Sequence, residues 1–158
     1  MPLNTEPSGV VDFEGAVAEF HKAFSVRRPD GTPEGTFDLL RTRIHLITEE
    51  FSETAEAIDD LLWRTGQDQW PADRWGNLAK ELADLLYVTL GTAELLGIPM
   101  SKTFAAVHES NMSKLGTDGR PIFREDGKVL KGPSYQPADL SFVVNEMRAN
   151  HEAFGVGE

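Results

Sequence analysis

"LAKELADLLYVTLGTAELLGI", residues 78–98, is apolar almost all the way round a helix. Glu81 and Asp84 interrupt it, three residues apart and on one face, flanked by Leu78, Leu85, Val88 and Leu95. A helix this apolar belongs in an interior. Carboxylates are almost never fully buried unless paired, and an isolated ionised one is too costly there. Lys80 is expected to point away from both acids and to be a poor partner. The two acids therefore need a cation from elsewhere.

A second acidic stretch lies upstream. "ITEEFSETAEAIDD", residues 47–60, falls within an expected helix over 37–64 that ends before Gly66. At about 100° per residue, Leu40, Ile44, Ile47, Phe51, Ile58 and Leu62 gather on one face of that helix. Glu49, Glu50 and Glu53 occupy an arc of roughly 100° on the other side, and Glu56 and Asp60 continue it. Taken alone, this stripe reads as a solvated face. Beside the interior acids of residues 78–98 it reads differently. Bringing Glu50 and Glu53 up to Glu81 and Asp84 across a helix–helix contact would surround a hard divalent ion with four oxygen donors. Oxygen-only ligands point to Mg²⁺, with Mn²⁺ as a substitute. Neutral, protonated carboxylic acids are the competing explanation.

The rest of the chain sets bounds. It has 158 residues, 40% hydrophobic and 26% charged, as for one globular domain with a real core. The net charge of −11 disfavours nucleic acid and anionic membrane partners, but not a small polyanion screened by metal. The absence of cysteine excludes disulfides, thiolate zinc sites and thiol nucleophiles. No apolar run is long enough to span a bilayer, and the first residues lack the blocks of a signal peptide, so cytoplasmic residence is expected.

Hydrophobic periodicity predicts helices over 13–24, 37–64, 75–96, from 100 or 101 to 114, and from near Pro137 to about Asn150. Thr36 is the expected cap of the second, and "SVRRPDGTPEG" before it reads as a loop. "DGRPIFREDGKVLKGPSYQP" is a hairpin or an extended loop around an Asp-Gly turn. The expected fold is all-α, a four- to five-helix bundle. Residues 1–12 read as a tail, 13–150 as one domain and 151–158 as a second tail.

The pattern "EEFSE" at 49–53, a spacer, then "ELAD" at 81–84 resembles the all-α nucleoside triphosphate pyrophosphatases, in particular the MazG-like branch close to the dimeric dUTPases. "VHESNMSKLG", "DGKVLKG" and "YQPADL" resemble the region that follows in those enzymes. The likeness covers about residues 37–140, and the spacer is long for the pattern. It implies Mg²⁺-dependent hydrolysis between the α and β phosphates of a nucleoside triphosphate, with dUTP or a related non-standard nucleotide as the expected substrate. It also implies Glu50, Glu53, Glu81 and Asp84 as metal ligands. Glu49 would be a further ligand or, with Glu50, the group that handles the water's proton. Asn111 and Lys114 would hold sugar and phosphates, with His108 near the base or sugar. Lys128 and Lys131, in a locally basic segment with Arg120 and Arg124, would close over phosphates. Tyr87 or Trp75 would stack on a base. Each has a plainer reading: Lys114 as a helix-terminal cation, the loop lysines as solvated, the aromatics as core.

The chain has no phosphate-binding glycine loop of the G-x-x-x-x-G-K-[ST] type, so metal must neutralise the phosphates. Phosphoribosyl-ATP is an alternative substrate, and a non-catalytic helical metal-binding module an alternative of another class. A di-iron bundle needs Glu-x-x-His pairs, and no histidine follows an acid by three. The surplus apolar surface of residues 78–98 and the resemblance together imply a homodimer, with a tetramer second.

Overall fold

The computed structural model describes residues 11–64 and 72–153. Residues 1–10 of the tail expected at 1–12, the connection at 65–71 and the end of the chain beyond 153 lie outside the described residues. The described chain is all-α, with no strand: α1 (Phe13–Ala23), α2 (Pro33–Arg64), α3 (Ala72–Leu96), α4 (Met100–Met112) and α5 (Val143–Ala153). Two compact units divide at Leu96–Gly97.

In the first unit α3 is the shared element, with α1 and α2 both packed on it. The helix α2 starts at Pro33, ahead of the expected Phe37. Proline's fixed φ and missing N–H suit a first helical position. Thr32 takes the capping role expected of Thr36: its Oγ1 accepts a hydrogen bond from the Gly35 N–H at 3.0 Å. Helix α1 closes with Ser25 in the left-handed region, φ 56°, and the Val26 N–H donating to the His21 carbonyl at 2.9 Å.

The face α2 turns to α3 mixes polar and apolar residues and is not the expected apolar arc. Arg43, Thr54, Ala57 and Leu61 are buried. The Thr54 hydroxyl stands 2.8 Å from its own helix at the Glu50 carbonyl and 3.2 Å from the Glu81 carbonyl of α3. The arc of Leu40, Ile44, Phe51, Ile58 and Leu62 stays exposed, with Ile44 and Phe51 each at 62%. Helix α3 likewise leaves Leu82, Leu86 and Tyr87 exposed, although its periodicity reads as buried all round.

In the second unit, Lys102 Nζ of α4 pairs with Glu146 Oε1 of α5 at 2.6 Å, and Asn150 Nδ2 donates to the Gly97 carbonyl at 2.9 Å. The segment between them holds an isolated antiparallel bridge, Phe123 to Val129, around Asp126 and Gly127 at φ 82°. This is the Asp-Gly turn expected from the sequence, reduced to one bridge. Helix α5 begins later than Pro137. The Gln136 N–H is tied to Ser113 Oγ at 2.9 Å, and Asp139 Oδ1 takes the Ser141 N–H at 3.0 Å. These bonds hold residues 136–141 in a non-helical path that a helix would break.

Candidate active site

Helix spacing on α2 puts Glu50 and Glu53 on one side of its α3-facing stripe, and α3 puts Glu81 opposite them. One carboxylate oxygen from each of the three lies within 4.8 Å of the others. Glu81 is buried at 6% exposure, Glu50 is half-buried and Glu53 is exposed. Such a set of hard oxygen donors, closable by small side-chain rotations, fits a divalent cation. Burial pushes the Glu50 carboxyl above its ordinary range. The negative charges of Asp84 and Glu53 push it further, against a smaller opposing pull from Lys80.

Asp84 stands beside this group rather than in it. Its Oδ2 is 2.9 Å from Lys80 Nζ, which also lies 3.0 Å from Glu81 Oε2. This corrects the expectation that Lys80 points away. The lysine's Cα direction is unfavourable, but its four-carbon stem lets the ammonium fold back along the helix surface. Hydrogen bonds first to Asp84 and then to Glu81 hold that ammonium's pKa above its usual range. Lys80 is the internal cation that makes two α3 acids tolerable beside α2. Glu49 is exposed and stands outside the three-carboxylate group.

Two recesses flank the acids along the α2–α3 contact. One, of about 520 Å³, is lined by Glu53, Glu56, Asp60, Asn77 and Glu81. The other, of about 410 Å³, is lined by Glu50 and Asp84 at one end, with Phe20, His21, Arg43 and Tyr87 also contributing. Tyr87 meets Phe20 edge-on, ring centroids 5.6 Å apart.

The sequence reading passed over His21, Arg43 and Glu94. His21 Nδ1 is 2.6 Å from Glu94 Oε2, and Arg28 Nη2 is 2.8 Å from Glu94 Oε1. Burial by itself raises the Glu94 carboxyl, but the Arg28 and His21 hydrogen bonds outweigh it and hold it below the usual carboxylate range. A histidine and an arginine on or after α1 matched by an acid on α3 is a signal only once those elements are known to touch.

The other expected binding residues belong to the second unit. Lys114 Nζ donates to Asn111 Oδ1 at 2.6 Å, so these two share a face as their spacing requires. His108 and Lys128 are exposed. Lys131 Nζ lies 4.1 Å above the Tyr135 ring.

Comparison with known proteins adds the lineage. The phosphoribosyl-ATP pyrophosphohydrolase family profile matches residues 17–111, a span holding most of α1, all of α2 and α3, and the carboxylates of the α2–α3 contact. Among solved structures, the chain is similar to a protein from Exiguobacterium sp. 255-15, provisionally named an NTP pyrophosphohydrolase. Identity is 20%, coverage is 93% of this chain and 100% of that one, and the TM-score is 0.43. No curated protein sequence gives a significant match. The fold is that of the all-α pyrophosphohydrolases, which hydrolyse phosphoanhydride bonds. By its profile match over most of its length, the chain belongs to the phosphoribosyl-ATP pyrophosphohydrolase family.

Proposed function

We propose that this protein is a Mg²⁺-dependent nucleoside triphosphate pyrophosphohydrolase that cleaves between the α and β phosphates, with dUTP or a related non-standard nucleotide as substrate. The observation that carries the reading is the convergence of Glu50, Glu53 and Glu81 oxygens within 4.8 Å. Those three residues, with Asp84 joining them, would hold the cation. When bound, the ion would supply charge neutralisation and water activation. The protein supplies the rest. Thr54 pins the two helices beside the cluster, and the flanking recesses give a triphosphate room on either side. Glu50 or the neighbouring Glu49 accepts the water's proton. Asn111 and Lys114, as a pair, and Lys128 and Lys131 remain candidates for the sugar and phosphates.

Phosphoribosyl-ATP is the second reading, favoured by the family match. The experiment is a panel of ribo- and deoxynucleoside triphosphates plus phosphoribosyl-ATP, with Mg²⁺ and with EDTA, products separated. Monophosphate and pyrophosphate, made only with metal, are expected. Diphosphate and orthophosphate would contradict the cleavage position, and no turnover would leave a non-catalytic module.

The exposed arc on α2 supports a homodimer, with a tetramer as the second possibility. Ile44, Phe51 and Ile58 recur every seven residues, a seam suited to another helix. Sedimentation velocity at micromolar concentration is expected to give a dimer, and Phe51→Glu to shift it to monomer. A monomeric wild type would refute this arrangement.

A further inference from the structure

Arg43 is 8% exposed and carries a full charge. Its Nε donates to Thr92 Oγ1 at 2.9 Å and its Nη2 to the Val88 carbonyl at 2.6 Å. Among the described residues no carboxylate lies within ion-pair distance of it, and Nη1 makes no hydrogen bond. Burying a charge without a counter-charge is expensive, so this guanidinium is satisfied only in part by its own chain. It lines the recess that ends at Glu50 and Asp84. Arg43 and Glu50 are two turns apart on α2, about 10 Å along the axis. One recess therefore has an acidic end and, that distance away, a basic one.

The basic end is built by Gly91. A methyl group there would stand 3.0 Å from Arg43 Nη2 and 3.2 Å from His21 Nε2, so the glycine lets α1 and α2 bring both side chains onto α3. Glu94 is a carboxylate and accepts only, so His21 Nδ1 carries the proton toward it. In the neutral ring, Nε2 is then an acceptor. Beside it Arg43 is a donor only. Phe20, Leu46, Tyr87 and Val88 form apolar walls between.

We infer that Arg43 is a specificity-determining residue that reads an exocyclic carbonyl on the substrate's base, favouring oxo bases over their amino counterparts. The assignment rests on the hydrolase reading above, which places the phosphates at the acidic end and so the base at the other. A guanidinium donates to a carbonyl oxygen and repels an amine in the same position. His21 Nε2 accepts the ring N–H that adjoins that carbonyl in a lactam. Cytosine and adenine offer an amine and a bare ring nitrogen there instead. The recess is within the size range of small-molecule sites.

The test is steady-state pyrophosphate release with Mg²⁺ on size-matched pairs, dUTP against dCTP and dITP against dATP. It compares the wild type with Arg43→Met and Gly91→Ala. In the wild type kcat/KM is expected to be at least about tenfold higher for the carbonyl member of each pair. In Arg43→Met that ratio falls to within about threefold of unity. Gly91→Ala keeps the charge but presses a methyl onto Nη2 and Nε2, and lowers the ratio partway. It serves if Arg43→Met fails to fold by circular dichroism. A wild type without the preference overturns the assignment. So does a folded variant that loses the same factor on every substrate, which is what a purely structural arginine would do. A wild type that releases pyrophosphate from no nucleotide is a different result: it removes the hydrolase reading, and this one with it.

Discussion

Glu50→Gln is expected to lower pyrophosphate release by about 10³-fold or more while leaving the fold intact. The carboxylate belongs both to the three-carboxylate group and to the recess that Arg43 lines, and is the one acid common to the two. Glutamine keeps its shape and one oxygen but removes the charge a divalent ion needs. The stability effect has the opposite sign. Burial and the neighbouring acids raise the folded-state pKa of Glu50. Such a group binds its proton more tightly folded than unfolded, so its ionised form near pH 7 works against folding. Without metal, the variant should therefore melt no lower than the wild type. With Mg²⁺, the wild type should gain melting temperature by mass action and the variant should gain little. Retained turnover in the variant would remove Glu50 from the site. A large drop in its metal-free melting temperature would show that Glu50 is structural.

Glu94→Ala should cost about 2–3 kcal/mol of folding stability, among the largest losses available from one polar side chain. The carboxylate accepts from His21 at 2.6 Å and Arg28 at 2.8 Å, and His21 is buried. Truncation takes that acceptor from both and leaves a buried imidazole N–H facing a void. Glu94 titrates below the usual range when folded. Its contribution is therefore fully present above the ordinary glutamate pKa of about 4.3 and is lost as pH falls through the lowered folded value. Urea denaturation should show the full gap between variant and wild type at pH 7 and a narrowing gap below about pH 4. A gap under about 0.5 kcal/mol at pH 7 would mean that the trio is a solvated contact of little consequence.

Much of the site was legible because its grammar is local. Glu81 and Asp84 declare themselves by sitting in an apolar helix, and the upstream acids by crowding a few turns. Two helical periodicities and the cost of buried charge suffice to bring the two sets together. Lys80 was misjudged because helical-wheel angles place Cα atoms, not the ends of flexible side chains. Arg43, His21 and Glu94 were passed over because each is unremarkable in its own helix. Their meaning lies in pairings 73 residues apart, His21 with Glu94, and 49 apart, Arg43 with Thr92.

By itself the amino-acid sequence determined the all-α class, the existence of the helices and the convergence of Glu50 and Glu53 with Glu81, because periodicity and charge are properties of neighbours along the chain. It did not determine which stripe of α2 faces α3. That helix carries two usable faces, and only the packed structure showed the mixed one, with Arg43, Thr54, Ala57 and Leu61, turned inward and the arc of Ile44, Phe51 and Ile58 left bare. Free energy chooses between faces by summing contacts with other elements, a quantity no single helix contains.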